Sequence, residues 1–180
     1  MRVLVTGGVR CGKSRHAESL LRGHDDVVYL APGPVPEDAD PPDPDWQARI
    51  DRHRASRPAG WTTRESADLA GALRSVRGAL LVDCLGTWLT RLLDDGLWEA
   101  SAEEVAAAVE TALDDVVAAL AGRPADAGPV VLVSNEVGWG VVPAHRSGRL
   151  FRDHLGVVNQ RIAAVADEVH LVVAGRVLRL

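Results

Sequence analysis

The chain has 180 residues, 47% of them apolar, and a formal charge of -5 at neutral pH, which predicts one globular domain over residues 1–180 that needs no disulfide or metal to hold its core. No stretch approaches the ~20 apolar residues that span a bilayer, and the apolar run before Gly7 is too short for a secretion signal. A cytoplasmic address is the expectation, and the acidic balance argues against the broad basic surface of a nucleic-acid binder; a small anionic ligand would need a local basic pocket instead.

In chain order, Arg2 to Thr6 (RVLVT) is a short β-branched run typical of a buried parallel strand. Gly7-Gly8-Val9-Arg10-Cys11-Gly12-Lys13-Ser14 follows it and matches G-x-x-x-x-G-K-[ST]. In this motif glycines let successive backbone N–H groups face phosphate oxygens, and the next helix adds its positive N-terminal dipole. Lys13 is the single lysine beside 19 arginines; a compact ammonium on a flexible stem suits contact with β and γ phosphates. The Ser14 hydroxyl is placed to ligate Mg²⁺.

A second strand is expected at Val27 to Ala31. Residues 32–45 hold six of the ten prolines and five acidic residues, which excludes helix and central strand and leaves either a mobile, extended loop near the nucleotide site or a disordered insertion. From Trp46 the chain reads as a short helix ended by Pro58, with Arg49, Arg52, Arg54 and Arg57 around His53. Four guanidinium groups form a phosphate clamp and disfavour imidazolium. A neutral imidazole there is a nucleophile for an α-phosphorus, or the stretch is a solvated face.

Ala79 to Cys84 is the third strand, and Asp83 stands near its end, where P-loop proteins keep the carboxylate that holds magnesium; its other reading is a helix N-cap for Leu85 to Leu93. Ser101 and Glu104 have capping-box spacing and open a helix whose Val105, Val109, Leu113, Val116 and Leu120 share one face before Gly122. Pro129 to Ser134 and Val169 to Ala174 are further strands. Between them a helix over about Gly148 to Ala166 turns Phe151, Leu155, Val158, Ile162 and Val165 inward, and Gly175 precedes a final hairpin strand through Leu180. Strands alternating with helices give an α/β protein with a mostly parallel sheet covered on both faces.

Other residues carry less. Asn135 and Glu136 follow a strand at the edge where open α/β folds bind ligands; they either position an acceptor or γ-phosphate or cap the next segment. His24 and His170 read as surface or strand positions, and His16 belongs to the helix after the loop. Cys11 and Cys84 show no pairing pattern. Trp61, Trp88, Trp98 and Trp139 either offer flat apolar surface to a ligand or pack in the core or an interface. On the residues alone, a plain small-molecule kinase and a non-catalytic nucleotide sensor both stay open.

The ordered segments LVTGGVRCGKSRHAE, RIDRHRASRPAGWTTRE, LLVDCLGTWLTRLL and SNEVGWGVVPAHRSGRLFRDHLGVVNQRIAAVADEVHLVVAG resemble the bifunctional adenosylcobinamide kinase and adenosylcobinamide-phosphate guanylyltransferase family over nearly the whole chain. The resemblance implies a RecA-like P-loop sheet, phosphorylation of adenosylcobinamide by ATP or GTP with Mg²⁺, and GMP transfer from GTP through a guanylyl-histidine at His53 in the cobalamin pathway. It also implies a nucleotide site made of Gly7 to Ser14, Ala31, Pro32, Gly33, Arg54, Ala55, Ser56, Arg57, Glu65 and Asp83, and a homo-oligomer, possibly a trimer. The chain departs from the family pattern at Pro32 and Gly33, at Cys11 where serine is common, and in lacking an acidic pair before the histidine segment.

Overall fold

The computed structural model describes residues 1–33, 48 and 57–180. The proline-rich stretch after Gly33 and the arginine cluster around His53 therefore lie outside the described residues, apart from Ala48, which is helical, and Arg57.

Among the described residues, seven strands form one sheet. They are β1 (Arg2–Gly7), β2 (Val27–Ala31), β3 (Thr62–Glu65), β4 (Ala79–Asp83), β5 (Val130–Val133), β6 (Glu168–Val173) and β7 (Arg176–Arg179). Their order is β3-β2-β4-β5-β1-β6-β7; all pairs are parallel except β6 with β7, which closes the C-terminal hairpin antiparallel. The helices given by continuous described residues are α1 (Lys13–Leu20), α2 (Leu69–Ser75), α3 (Leu85–Asp94), α4 (Ala102–Ala121) and α5 (Arg146–Ala163).

Period-two alternation splits each central strand between two cores. Val3 and Val5 of β1, Leu81 of β4 and Val131 and Val133 of β5 pack with Ala17 and Leu21 at α1. Leu4, Leu80, Val82 and Leu132 face the other way, against buried residues of α2, α3, α4 and α5. The sheet is thus covered on both faces, as the sequence predicts. The apolar face expected of α4 is buried from Val105 to Leu120, and Ser101 and Glu104 close the capping box. In α5, Leu155, Val158 and Ile162 are buried, whereas Phe151, and Val165 just past the end of the helix, are only partly so.

Two elements were not expected. β3 has four exposed residues, Thr62 to Glu65, and is held at the sheet edge by parallel pairing with Val28 to Ala31. α2 is a short helix with Asp68 as its N-cap; the Asp68 carboxylate accepts from the Gly71 N–H at 2.8 Å. At the opposite end of the sheet from the glycine loop, Arg123 knots the frame: its guanidinium donates to the carbonyls of Leu73 (2.9 Å), Val76 (2.6 Å), Gly78 (2.7 Å) and Gly128 (3.3 Å). The ion pair of Arg2 with Asp167, at 2.6 Å, joins the start of β1 to the residue before β6.

Candidate active site

β1 delivers Gly7 to the C-terminal edge of the sheet, and the loop to Gly12 turns directly into α1. Gly7 sits at φ +155°, where a Cβ would lie 2.4 Å from the Val172 carbonyl oxygen and 2.7 Å from Cys11 Sγ; no side chain fits between the loop and β6. Gly12, at φ +98°, is the α1 N-cap. The turn after β6 braces the loop, with the Gly175 N–H donating to the Cys11 carbonyl at 2.9 Å. Lys13 is buried, 7% exposed, and its Nζ donates to the Gly8 carbonyl at 3.2 Å, so the ammonium is folded back over the loop it serves.

Asp83 ends β4. Its Oδ2 accepts from the hydroxyl of the buried Tyr29 on β2 at 3.0 Å. The helix-cap reading of Asp83 is not what the structure shows: the N-cap of α3 is Cys84, whose N–H donates to the Thr87 hydroxyl at 3.3 Å. Burial, and next the charge of Asp83, push the Tyr29 phenol well above its ordinary value. The same two causes in the same order raise Glu18 on α1 and the Cys84 thiol. The Arg57 guanidinium lies over the Tyr29 ring at 3.3 Å and donates through Nη1 to Thr63 Oγ1 at 2.8 Å, while its buried Nε has no hydrogen-bond partner among the described residues.

Ala31 closes β2 opposite Glu65, which closes β3. Pro32 is buried; the Gly33 carbonyl accepts from Arg91 Nη1 of α3 at 3.1 Å, and a Cβ at Gly33 would meet Thr87 at 2.8 Å. Five adjacent parallel strands thus bring Glu65, Ala31, Asp83, the residues after β5 and Gly7 to one edge, the ligand edge of open α/β sheets. His53, Arg54, Ala55 and Ser56 lie outside the described residues.

Beyond β5, the Glu136 N–H donates to the Gly7 carbonyl at 3.0 Å. Glu136 Oε1 accepts from Thr6 Oγ1 at 2.6 Å and from Asn159 Nδ2 at 3.3 Å. Asn159 also donates to the Asn135 carbonyl at 3.0 Å, and its Oδ1 accepts from Ser134 Oγ. Neither Asn135 nor Glu136 caps α5, whose N-cap is His145. Thr6, Ser134 and Asn159 had no sequence signal, because their partners are distant in the chain.

Near α1, His16 Nε2 and His170 Nδ1 share a hydrogen bond of 2.9 Å, and His170 Nε2 meets Glu168 Oε2 at 2.9 Å. His170 is a strand residue as expected, yet only 1% exposed: β6 turns it toward α1. His24 is exposed. Trp88 is in the core, and Trp98 is partly buried with its indole N–H donating to Asp94 Oδ1 at 2.6 Å. Trp61 is half-buried, whereas Trp139, at 74% exposure, packs in no core.

A mostly parallel sheet whose first strand runs into G-x-x-x-x-G-K-S and a helix, with an aspartate ending a strand two places away, defines a P-loop nucleotide-binding protein of the RecA-like class. Solved structures agree on the fold: a prototypical ATPase of a bacterial type III secretion system aligns with a TM-score of 0.52 at 13% identity, covering 94% of this chain and 50% of that one. EscN, the type III secretion ATPase of enteropathogenic E. coli, gives 0.52 at 13% identity over 96% of this chain and 43% of its own. The chain spans about half the length of those proteins or less, and the likeness concerns the fold alone.

Sequence comparison is narrower. The model of the cobinamide kinase / cobinamide phosphate guanyltransferase family matches residues 3–180, and the chain belongs to that family. It is 43% identical to the bifunctional adenosylcobalamin biosynthesis protein CobU of Salmonella typhimurium, and 40% identical to CobU of Escherichia coli K12, over 97% of each chain in both cases. The corresponding CobP of Pseudomonas aeruginosa is 41% identical over 97% of this chain and 94% of its own. Among the described residues no helix is long and apolar enough to cross a membrane.

Proposed function

We propose that this chain performs two consecutive reactions of cobalamin biosynthesis: phosphorylation of the adenosylcobinamide hydroxyl by ATP or GTP, then transfer of GMP from a second GTP to give adenosylcobinamide-GDP. The observation that carries this reading is the family match across residues 3–180 on a sheet that brings the glycine loop, Lys13 and Asp83 to one edge.

In the first reaction the loop amides of Gly7 to Ser14 grip the phosphates, and Lys13 leaves the Gly8 carbonyl to meet the β and γ oxygens. Positioning and fixed charge supply most of the catalysis in such transfers. The Ser14 hydroxyl and the Asp83 carboxylate are the hard oxygen donors that Mg²⁺ accepts beside phosphates and waters. Asp83 fits the role because, among the described residues, Tyr29 engages Oδ2 while Oδ1 has no hydrogen-bond partner. Mg²⁺ held there neutralises phosphate charge. Ala31, Pro32, Gly33, Arg54, Ala55, Ser56, Arg57 and Glu65 complete the nucleotide site, with Arg57 braced against Tyr29.

In the second reaction an imidazole nitrogen of His53 attacks the α-phosphorus of GTP. The nitrogen–phosphorus bond forms as the bond to the β-phosphate oxygen breaks, and pyrophosphate leaves with that electron pair. A phosphate oxygen of adenosylcobinamide phosphate then displaces the imidazole. The working assembly is a homo-oligomer, a trimer, which light scattering tests.

The chemical test uses GTP labelled at either the α or the γ phosphorus. The α-label, and not the γ-label, is expected to stay on the protein through denaturing electrophoresis, to be acid-labile, and to vanish in His53→Ala, which still phosphorylates adenosylcobinamide. A His53→Ala protein that makes adenosylcobinamide-GDP at the wild-type rate refutes the covalent step.

A further inference from the structure

Every group assigned so far to the kinase step, the loop amides, Lys13, Ser14 and Asp83, handles phosphate charge. None receives the proton that an acceptor hydroxyl loses when its oxygen bonds to phosphorus. Among carboxylates at this edge, Asp83 already binds Tyr29 and stands as the metal ligand, and Glu65 lies on the edge strand β3, beyond β2 and β4 from β5. Glu136 has neither commitment.

Its position is central. β5 lies between β1, which carries the phosphate loop, and β4, which carries Asp83, and the Glu136 N–H is bonded to the carbonyl of the first loop residue, Gly7, at 3.0 Å. Its orientation is fixed from one side only. Oε1 accepts from the Thr6 hydroxyl and the Asn159 amide, and Asn159 is in turn held by Ser134 and the Asn135 carbonyl. Oε2 has no hydrogen-bond partner among the described residues. A carboxylate with one oxygen clamped and the other open, beside the phosphate grip, is arranged to accept a proton rather than to bind phosphate, which it would repel.

We propose that Glu136 is the general base of the phosphoryl-transfer step, taking the proton of the acceptor hydroxyl on Oε2. This rests on the kinase reading above. The hydroxyl oxygen forms its bond to the γ-phosphorus, its proton passes to Glu136, and the bond from the γ-phosphorus to the β-bridging oxygen breaks with its electron pair retained by the nucleoside diphosphate. Thr6 and Asn159 act through Glu136 as positioning residues.

The test is Glu136→Gln, whose amide oxygen still accepts from Thr6 and Asn159 and so keeps the link between β1, β5 and α5 while losing the capacity to take a proton. The expected result is a fall of ~10²–10⁴-fold in kcat for phosphorylation of adenosylcobinamide, with the KM for nucleotide within about twofold of wild type. Guanylylation of the protein by α-labelled GTP, and GMP transfer to adenosylcobinamide phosphate supplied ready-made, stay at wild-type rates. A purely structural Glu136 would lower all three activities together or none. Glu136→Asp, which retracts the carboxylate by one methylene, is expected to fall between the two proteins in kcat. A kinase rate in Glu136→Gln within about threefold of wild type, or equal losses in all three activities, overturns the assignment. A wild-type protein that guanylylates itself but phosphorylates nothing overturns the kinase reading itself, and the base with it.

Discussion

Replacing Gly7 by alanine puts a methyl group where the structure has none to spare. The added Cβ would stand 2.4 Å from the Val172 carbonyl oxygen and 2.7 Å from Cys11 Sγ. Ordinary contact needs roughly 3.4 Å or more, so β1 and β6 or the loop must separate by about 1 Å. The carbonyl is backbone in a paired strand and does not swing aside, and φ +155° adds strain for a residue with a side chain. Together these cost about 2–3 kcal/mol, or a fall in Tm of about 4–12 °C for a chain of this size. The same displacement misplaces the phosphate-binding amides, and a shift of about 1 Å near a reacting centre lowers turnover by about 10²-fold. Gly8→Ala is the control for stability, because a Cβ there meets nothing within 4 Å. The assay is a pair of thermal melts with GTP affinity measured on both proteins. A Gly7→Ala protein that melts with Gly8→Ala and binds GTP as wild type does refutes the steric reasoning.

Arg123→Met removes a guanidinium shared by four carbonyls; with about 1 kcal/mol for each of the three contacts shorter than the one to Gly128, urea denaturation should show a loss of about 3 kcal/mol, and a loss under about 1 kcal/mol would mean water replaces it. His16 is pushed below the usual histidine value, first by burial and then by the charges of His170 and Arg179, with Glu168 facing His170 from the far side. The unfolded chain therefore takes up this proton first, so stability is full above the ordinary value of about 6.5 and is lost as pH falls below it. Melts at neutral and mildly acid pH should show a smaller acid loss in His16→Gln; equal losses would remove His16 from the account. Asp83→Asn keeps an acceptor for the Tyr29 hydroxyl and should leave Tm near wild type while lowering phosphoryl transfer by about 10²-fold, read as turnover against added Mg²⁺; unchanged turnover would remove Asp83 from the metal site.

What was legible in the sequence follows from how each element is stabilised. The buried parallel strands announce themselves as apolar runs, and β2 has the very bounds its VVYLA segment suggests. The phosphate loop was legible because its chemistry is local: glycines, lysine and serine act within eight consecutive residues. β3 was not, since TTRE has no apolar face and exists only through backbone pairing with β2. The support of the candidate site was equally hidden. Thr6 meets Glu136 and His16 meets His170 across more than a hundred residues, and no spacing rule joins such pairs. Tyr29, read as one apolar strand residue among several, turns out to join Asp83 and Arg57.

The placement of β1 has a consequence for how the protein is made. Its hydrogen-bonding neighbours, β5 and β6, come from residues 130–133 and 168–173, so the strand that carries the phosphate loop is paired on both sides only by segments that lie far along the chain from it. Until β5 and β6 have been made, β2 and β4 have each other while β1 and its glycine loop lack their flanking strands. Nucleotide binding is then a property the nascent chain acquires only once β6 is in place, and a chain truncated before β6 should associate with its neighbours sooner than it binds GTP.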